Sequence, residues 1–279
     1  MATGDYEGKK FDNGSVSYIV DALTIEEALQ ININGEPFTV TMRTPGDDLS
    51  LVRGLLHSEG IIKNTHFSPD VILKKENKDG IVTKVEVTIP ECELGSGYSN
   101  SRNLLSVSSC GICGRKELDE LAFIGKVIPS DESVDISVIE SMFEKMNLVQ
   151  RTFQQSGGSH AAAAFDSDGN LLSSKEDIGR HNAVDKVIGD LILSNQLKQI
   201  KSITVSGRIS YEIIIKAFKA RIPILCAVSA PSTLAVDYAK ELGITLLAFC
   251  RDGRATCYSN PHRIKHPSIE GENKINYSA

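Results

Sequence analysis

The first 90 residues alternate between apolar and polar positions in short runs, which is the pattern of half-buried β-strands. Asn34-Gly35 and Asp79-Gly80 are turn dipeptides that predict tight hairpins between such runs. Between the two hairpins, apolar residues at helical spacing predict a helix that opens at Pro45 and closes at Gly60. The order of elements is therefore ββαββ, a roll-like unit. Its predicted strands are 31–33, 38–42, 71–73 and 82–89.

From about residue 135 the pattern changes to short apolar strands that alternate with amphipathic helices. Ser137 and Glu140 have the spacing of a capping box and predict the start of the first helix. Its predicted apolar face is Ile139, Met142, Phe143, Met146 and Phe153. Residues 245–249 are the last predicted strand. This alternation is typical of a layered α/β domain with a largely parallel sheet.

The segment between these regions, residues 91–109, contains Gly95, Gly97 and a Ser/Asn-rich stretch, and we interpret it as a mobile linker. It leads to a Cys-x-x-Cys sequence and a short amphipathic helix. The predicted fold class is α/β, or α+β overall. The predicted boundaries are an N-terminal roll at 1–94, the linker with the cysteine pair at 95–134, the α/β domain at 135–264 and a polar, disordered tail at 265–279.

Composition and charge exclude several classes of function. The chain has 279 residues, of which 41% are hydrophobic and 24% charged, so it can bury a sizeable core. Its net charge of -6 argues against a general binder of nucleic acid or membrane surfaces. No apolar run reaches the roughly 18–20 residues that cross a bilayer, and the N-terminus is too polar for a signal peptide. Six cysteines are too few for a disulfide scaffold, so we expect a cytoplasmic protein with reduced thiols.

The first candidate for chemistry is the pair formed by Cys110 and Cys113. Two thiols at this spacing can hold a metal, form a disulfide or present a nucleophile. Flanking glycines expose them, and the neighbouring Arg115 and Lys116 favour the thiolate. A structural zinc site needs two further Cys or His at recognisable spacing, and the sequence contains no second Cys-x-x-Cys. Half of a zinc site, an incidental pair and a reactive thiol all stay open on this evidence.

The second candidate is the segment that follows the last predicted strand. It comprises Phe249, Cys250, Arg251, Asp252, Gly253 and Arg254. In open α/β sheets, ligands bind beyond the carboxyl ends of the strands. Two arginines across a glycine turn suit phosphate or carboxylate groups, although the aspartate between them weakens a purely electrostatic account. The alternative is a tight hairpin with solvated arginines.

A third group of candidates falls at other strand and helix starts. It consists of His160, Arg180, His181 and Arg208. Gly-Arg-His at the start of a helix is a reasonable anion-binding arrangement, and the turns at 206–208 and 229–232 can line the same crevice. The alternative is a structural histidine at the start of an Ala-rich strand, with serines that only cap their helices.

Six segments, in this order, resemble the FdhD family, the sulfur-carrier accessory proteins of formate dehydrogenase. They are residues 110–114, 159–163, 176–181, 210–212, 228–236 and 249–255. Each motif is weak alone, whereas six in order are specific. The resemblance extends from about residue 15 to 264.

The resemblance implies a cytidine-deaminase-like three-layer α/β/α domain, a homodimer and a persulfide sulfurtransferase. Cys110 would accept sulfur from a cysteine desulfurase and pass it to the molybdenum bis(molybdopterin guanine dinucleotide) cofactor that formate dehydrogenase needs. Cys113 matches the second cysteine of the family motif, and residues 249–254 match the family's cofactor-binding stretch. The cofactor would be a bound acceptor, with no permanently bound metal, no DNA or RNA and no membrane as partner.

Two rival functions follow from the same residues. A zinc nucleoside or base deaminase needs H-x-E followed by P-C-x-x-C, but His160 is followed by Ala161 and Ala162, and the cysteine pair precedes the α/β domain. The second rival is a non-catalytic chaperone that delivers the guanine dinucleotide cofactor to formate dehydrogenase. It agrees with the same motifs, but it does not require Cys110. Replacement of Cys110 by Ala therefore discriminates the chaperone from the sulfur carrier.

Overall fold

The structure is a computed structural model that describes residues 2–101, 127–129 and 133–266. Within these ranges the strands are β1 (Thr3–Asp12), β2 (Ser15–Thr24), β3 (Glu27–Ile33), β4 (Glu36–Arg43), β5 (Asp70–Glu76), β6 (Val82–Thr88), β7 (Val134–Asp135), β8 (His160–Phe165), β9 (Leu171–Asp177), β10 (Ser202–Val205), β11 (Ile224–Ala227), β12 (Thr245–Arg251), β13 (Arg254–Ser259) and β14 (Ile264–Lys265). The helices are α1 (Asp48–Ser58), α2 (Ser96–Ser101), α3 (Ile136–Val149), α4 (Arg151–Ser156), α5 (Arg180–Leu193), α6 (Tyr211–Lys219) and α7 (Thr233–Glu241). None of these helices is long and apolar enough to cross a membrane.

The predicted ββαββ order is confirmed by β3, β4, α1, β5 and β6. Their sheet has the order β4-β3-β6-β5, and α1 packs its apolar side against it. Asn34 and Gly35 both have positive φ, as the turn of a two-residue hairpin requires. Gly60, also at positive φ, follows the end of α1 as predicted.

A hairpin of β1 and β2 precedes this unit and was not predicted from the sequence. Thr3 pairs with Thr24 and Asp12 with Ser15, so the ribbon is ten residues long on each side. Most of its side chains are exposed, Tyr18 among them. Asn13 and Gly14 form its turn, both at positive φ, and this is the same turn dipeptide as Asn34-Gly35, so the signal was present in the sequence and was overlooked.

The second unit is a six-stranded sheet with the order β13-β12-β11-β10-β8-β9. The two pairings β10–β11 and β11–β12 are parallel, and the other three are antiparallel. The prediction of a largely parallel sheet was therefore wrong, because hairpins β8–β9 and β12–β13 form its two edges. Nor is 245–249 the last strand of the sheet, since β13 follows it.

Helices cover both faces of this sheet, in the three-layer α/β/α arrangement that was predicted. The core on one side is built with α3, and the core on the other side with α5, α6 and α7. The four apolar residues expected from α3, Ile139 to Met146, are buried. Phe153 is 47% exposed and lies in α4, so its predicted place in that core was wrong. The N-cap of α3 is Asp135, whose carboxylate accepts from the backbone of Ser137, so the helix starts before the predicted capping box.

The predicted mobile linker was wrong for residues 91–101, which form a 3-10 turn (Glu91–Glu93) and α2. Gly95 and Gly97 lie against the backbone of Glu59 and Gly60, where a Cβ atom would overlap carbonyl oxygens. These glycines therefore permit close packing rather than flexibility. Residues 102–126, which include the rest of the predicted linker and the short helix, lie outside the described residues, as does the tail from 267.

The two units are packed together through α1 and α5. A Cβ atom at Gly54 would overlap the carbonyl of Asp185, and one at Gly189 would overlap the carbonyl of Ser50. Next to this contact, the buried ammonium of Lys216 lies 2.8 Å from the carboxylate of Asp185. The domain boundaries predicted from the sequence stay predictions.

Candidate functional site

Four strands of the six-stranded sheet have their carboxyl ends on the same side of the sheet, which we call the carboxyl edge. β10, β11 and β12 run parallel, and β9 shares their direction because both β9 and β10 are antiparallel to β8. The turns after these strands carry Arg180, Arg208, residues 229–232 and the Asp252-Gly253 pair. This carboxyl edge is where open α/β sheets bind their ligands.

His160, Arg180 and Arg208 are brought together at this edge. His160 begins β8 opposite Asp177, and Arg180 begins α5. Gly207 fits between them so closely that a Cβ atom there would lie 3.3 Å from Cβ of Arg180 and 3.4 Å from Nδ1 of His160. We call His160, Arg180 and Arg208 the edge cluster.

The edge cluster is positively charged through its arginines and not through its histidine. Burial, followed by the charges of Arg180 and Arg208, lowers the pKa of His160 below its ordinary value. The imidazole is therefore neutral at pH 7, where it can donate or accept a hydrogen bond. The positive potential that lowers this pKa is the same potential that attracts an anion.

Arg180 carries a buried hydrogen-bond donor, its Nε atom, that has no partner within the described residues. A buried donor without an acceptor is costly, and the guanidinium group is well suited to phosphate oxygens. Because Arg180 is also the first residue of the 14-residue helix α5, the helix dipole adds to the attraction for an anion.

A buried network holds the start of α5 from behind. The Asp177 carboxylate accepts hydrogen bonds from the backbone nitrogen of Gly179 at 2.8 Å and of Thr44 at 3.1 Å, and from Asn182 Nδ2 at 3.0 Å. Lys186 Nζ lies 2.8 Å from the same carboxylate and donates to the carbonyl of Thr44. Asp177 and Lys186 are both almost fully buried. This network joins the loop before α1 to the loop before α5 and so fixes the direction of Arg180.

This network was not predicted from the sequence. Asp177 lies within the motif at 176–181, but Lys186 lies outside all six motifs. Thr44 is 133 residues away from Asp177, and nothing local indicates that they meet. The position of Lys186 next to the apolar residues Val187 and Ile188 of α5 was the signal that could have identified a buried ion pair.

Glu176 and His181 lie close to Arg180 in the sequence, but their side chains contact other helices of the protein. His181 Nε2 lies 3.1 Å from Ser210 Oγ and 4.0 Å from the Glu212 carboxylate, and only 6% of the residue is exposed. The Glu176 carboxylate accepts from the first backbone nitrogens of α4. His181 therefore ties α5 to α6 behind the edge cluster, and its predicted contact with a ligand stays a prediction.

The segment 249–254 forms the tight hairpin that the sequence analysis held as its alternative. Asp252 and Gly253 both have positive φ and make a two-residue turn between β12 and β13. Arg251 and Arg254 are exposed, and the Arg254–Asp252 ion pair of 3.5 Å is too solvated to hold them in place. Phe249 donates from its backbone to the carbonyl of Ser229, which ties the hairpin to the turn after β11.

The hairpin and the edge cluster lie at different positions along the carboxyl edge of the sheet. β12 is separated from β10 by one strand, which is a distance of about 10 Å. Within the described residues, no hydrogen bond or ion pair joins Arg251 or Arg254 to the edge cluster. Cys250 is buried in the core under α3, where burial raises the pKa of its thiol to about 12. Its side chain therefore belongs to the core, although its backbone belongs to the hairpin.

The FdhD/NarQ family model matches residues 24–265. The chain belongs to this family. The resemblance drawn from six short motifs is thereby confirmed. Sulfur carrier protein FdhD of Picrophilus torridus is 42% identical over 256 residues, covering 88% of this chain and 93% of the relative. The protein of the same name from Streptomyces avermitilis is 39% identical over 265 residues, covering 90% and 92%.

A solved structure supports the fold independently. The crystal structure named for a formate dehydrogenase accessory protein from Desulfotalea psychrophila superimposes with a TM-score of 0.74. It covers 95% of this chain and 100% of its own, at 22% identity. The mixed α/β architecture is thus shared, while the cytidine-deaminase-like assignment stays a prediction.

The two cysteines that the FdhD/NarQ resemblance assigns to sulfur chemistry, Cys110 and Cys113, lie outside the described residues. Three of the four other cysteines are poor nucleophiles because of burial, which raises the pKa of the thiols of Cys226, Cys250 and Cys257. The fourth, Cys92, is exposed. No group of three or more metal-ligating side chains in the described ranges is placed to hold a metal ion.

Proposed function

We propose that this protein is a sulfur carrier in the maturation of formate dehydrogenase. Curated relatives named sulfur carrier protein FdhD, at about 40% identity over about 90% of the chain, support this role. The observation that carries the finer proposal is the edge cluster with the Arg180 donor that has no partner within the described residues. We assign it to a phosphate group of the molybdenum bis(molybdopterin guanine dinucleotide) cofactor, the acceptor of the sulfur.

Loading of the carrier is a thiol exchange at Cys110. The thiolate of Cys110 attacks the outer sulfur of a persulfide on a cysteine desulfurase. A new sulfur–sulfur bond forms on Cys110, the old one breaks, and the desulfurase cysteine leaves as a thiolate. The sulfur keeps its oxidation state, so this step needs no other reagent.

Delivery to the acceptor can use the second cysteine. The Cys113 thiolate attacks the Cys110 sulfur of the persulfide and releases the outer sulfur as hydrosulfide, which becomes available beside the metal. The two cysteines become a disulfide and thereby supply the two electrons that reduce the released sulfur. If a Cys113→Ala variant keeps full sulfur delivery in a reconstituted assay, resolution by Cys113 is excluded.

The cofactor is held, in this proposal, by charge and shape at the carboxyl edge of the sheet. Arg180 and Arg208 are assigned to one diphosphate, and Gly207 leaves room for a close approach to them. The hairpin arginines Arg251 and Arg254, about 10 Å away, add contacts that adapt to the ligand. We expect the carrier to act as a cytoplasmic homodimer, as the family resemblance implies.

Intact mass measured under non-reducing conditions tests the carrier function. The protein is incubated with a cysteine desulfurase and free cysteine, beside Cys110→Ala and a matched Cys92→Ala control. We expect a gain of one sulfur atom that reductant reverses, in wild type and in the Cys92 variant but not in the Cys110 variant. A gain that persists in Cys110→Ala would contradict the assignment of the nucleophile.

A cofactor chaperone without sulfur chemistry is the second candidate. It is favoured by one observation, namely that the edge cluster is built entirely from residues far in sequence from the cysteine pair. A chaperone would still activate formate dehydrogenase after Cys110→Ala, and it would gain no sulfur from the desulfurase. Retained activation by that variant would therefore replace the carrier proposal with the chaperone.

A further inference from the structure

The ribbon of β1 and β2 presents a largely apolar face to solvent. In an antiparallel ribbon, cross-strand neighbours lie on the same face, and the two faces alternate along each strand. The residues that share one face in the outer two thirds of the ribbon are Glu7, Lys9, Phe11, Val16, Tyr18 and Val20. All six are exposed, and Tyr18 is 84% exposed. We call residues 3–24 the arm and this surface its apolar face.

The arm is joined to the rest of the protein at its root. Thr3 Oγ1 donates to Gln155 Oε1 at 3.2 Å, and Thr24 Oγ1 lies 2.6 Å from Ser156 Oγ. Both contacts are made with α4, and among the described residues no other side chain of the arm hydrogen-bonds to the rest of the chain. A two-stranded ribbon that packs on nothing is marginally stable in water. A surface that covers the apolar face would therefore stabilise the arm.

Lys9 gives the apolar face a positive charge. Its Nζ atom lies 5.6 Å from the centroid of the Phe11 ring and 5.9 Å from the centroid of the Tyr18 ring. Both distances are within the range of a cation–π interaction. Lys9 has no carboxylate partner in the described part of the chain. The arm therefore offers a partner two aromatic rings with a cation held beside them.

A complementary surface lies where α3 ends and α4 begins, next to the root of the arm. We call it the corner surface, and its exposed members are Glu140, Glu144, Leu148 and Phe153. The first three follow one another at intervals of four residues and so share one side of α3. Two carboxylates at this spacing repel each other, and neither has an ion-pair partner within the described residues. The corner surface thus combines negative charge with exposed apolar groups.

We propose that the arm of one copy of this chain lies on the corner surface of a second copy, which returns the contact with its own arm. The apolar face is exposed in the single chain, so the arm does not cover its own corner surface. Because the root and the corner surface are adjacent on each copy, one two-fold rotation can place both arms. The contact sets the Lys9 cation against the two carboxylates, and the aromatic rings against the apolar residues of the corner surface.

The area of this exchange is sufficient for a stable dimer. A ribbon of two ten-residue strands is about 34 Å long and about 10 Å wide, so that one face covers roughly 300 Å². Two arms, each with the surface beneath it, then bury about 1,200 Å² in total, which is within the range of specific interfaces. Two arms packed only on each other would bury about half of that, less than a specific interface needs. The area therefore favours the corner surface over the partner's arm.

The inference rests on the homodimer expected under the proposed function, and it assigns that homodimer an interface. Sulfur loading of Cys110 is measured by intact mass and does not enter the test of the interface. A variant that is monomeric and still gains sulfur therefore separates the two proposals, because it loses the interface and keeps the carrier function.

Charge reversal in two variants, studied apart and then mixed, tests the contact between arm and corner surface. One variant carries Lys9→Glu, and the other carries Glu140→Lys with Glu144→Lys. Either variant alone places like charges at both contacts, so we expect its dimer dissociation constant in analytical ultracentrifugation to rise about tenfold or more. In the mixed dimer both contacts join opposite charges. An equimolar mixture should therefore associate about as tightly as the wild type.

Serine substitutions on the two faces of the arm test the apolar part of the contact. Phe11→Ser with Tyr18→Ser should weaken the dimer about a hundredfold, because each dimer loses four buried aromatic side chains. The matched control is Tyr6→Ser, since Tyr6 is 61% exposed and lies on the opposite face of the arm. It should leave the dissociation constant unchanged. All these side chains are exposed, so circular dichroism should show wild-type folding in every variant.

Three results would overturn the proposal. The first is a wild-type chain that is monomeric at every concentration tested, and the second is a mixture of the charge variants that associates no better than either alone. The third is an equal loss of association in Tyr6→Ser and in the double serine variant. If a monomeric wild type instead binds vesicles of phosphatidylcholine and phosphatidylglycerol, and the double serine variant does not, the arm is a membrane contact and the second copy is excluded.

Discussion

Arg180 and Arg254 both lie at the carboxyl edge of the six-stranded sheet, and their surroundings are opposite. Arg180 begins a long helix whose start is fixed by the buried Asp177–Lys186 network. Arg254 directly follows a two-residue turn, and its ion-pair partner, the carboxylate of Asp252, is exposed to solvent. The first arrangement holds a charge in place before a ligand arrives, whereas the second must order its side chains on binding. The affinity of a basic motif for an anion therefore cannot be inferred from the sequence until the contacts that hold its side chains are known.

The largest effect should come from breaking the network behind Arg180. Lys186→Met leaves the Asp177 carboxylate buried without its cation, so we expect the free energy of unfolding to fall by about 3–5 kcal/mol. Chemical denaturation followed by circular dichroism measures it. Arg254→Ala, which removes only a solvated ion pair, should cost less than about 0.5 kcal/mol. Equal losses of unfolding free energy in the two variants would contradict the contrast between Arg180 and Arg254.

The next effect concerns ligand affinity, with GDP as a probe for the guanine dinucleotide end of the cofactor. Arg180→Ala should weaken GDP binding at the sheet edge by about tenfold or more, since a charge-assisted bond to a fixed donor is lost. Arg254→Ala should weaken it only a few-fold and make it less sensitive to salt. Titration calorimetry at two salt concentrations separates these results. A larger loss for Arg254→Ala would make the hairpin the main site.

A matched pair of glycine substitutions separates binding from stability. Gly253→Ala meets no neighbour within 4 Å but is strained at a φ of 68°, so it should cost about 1 kcal/mol of stability. Gly207→Ala adds a methyl group against Arg180 and His160, so it should weaken GDP binding several-fold at little cost in stability. Thermal unfolding and calorimetry measured on both variants check the pair. The reverse pattern would show that Gly207 has no part in the approach of a ligand.

The smallest effect is a shift in the titration of His160. Arg180 lowers the pKa of this histidine, so Arg180→Ala should raise it towards its ordinary value, while Arg254→Ala should leave it unchanged. The folded protein binds fewer protons at His160 than the unfolded chain. Its free energy of unfolding therefore decreases as the pH falls below about 6.5, and less so in Arg180→Ala. NMR titration of the ring protons follows the shift, and a response to Arg254→Ala would place the hairpin nearer than its strand position indicates.

Most of the elements predicted from the sequence have a local signal, although the hairpin at Asn13-Gly14 was overlooked. The turns at Asn34-Gly35 and Asp79-Gly80, the helix that ends before Gly60 and the alternation after residue 135 all depend on neighbours within one or two turns of chain. The family motifs contain His160, Arg180 and residues 249–254, which lie at the carboxyl edge of the sheet, whereas Arg208 lies outside these motifs. The mixed character of the sheet was not predicted, because a hairpin at an edge and a parallel strand look alike when both are short and apolar.

Contacts between distant segments were not predicted from the sequence, for a different reason. Thr44 and Asp177 meet only because α1 and α5 cross, and Gly95 and Gly97 lie against another backbone that no local pattern reveals. Glycine is equally common in flexible linkers and at close backbone contacts, so composition cannot separate the two. The exposed hairpin arginines and the fixed Arg180 were for that reason indistinguishable before the fold was known.

The glycine contacts between α1 and α5 determine how closely these two helices approach each other next to the carboxyl edge of the sheet. Gly54 and Gly189 allow the two helix backbones to touch, and Thr44 lies on the loop that leads into α1. A single methyl group at Gly189 would act as a wedge, lifting α1 and drawing Thr44 away from the Asp177 carboxylate. The direction of Arg180 therefore depends on the spacing between α1 and α5, which is set further along the same helix that Arg180 begins.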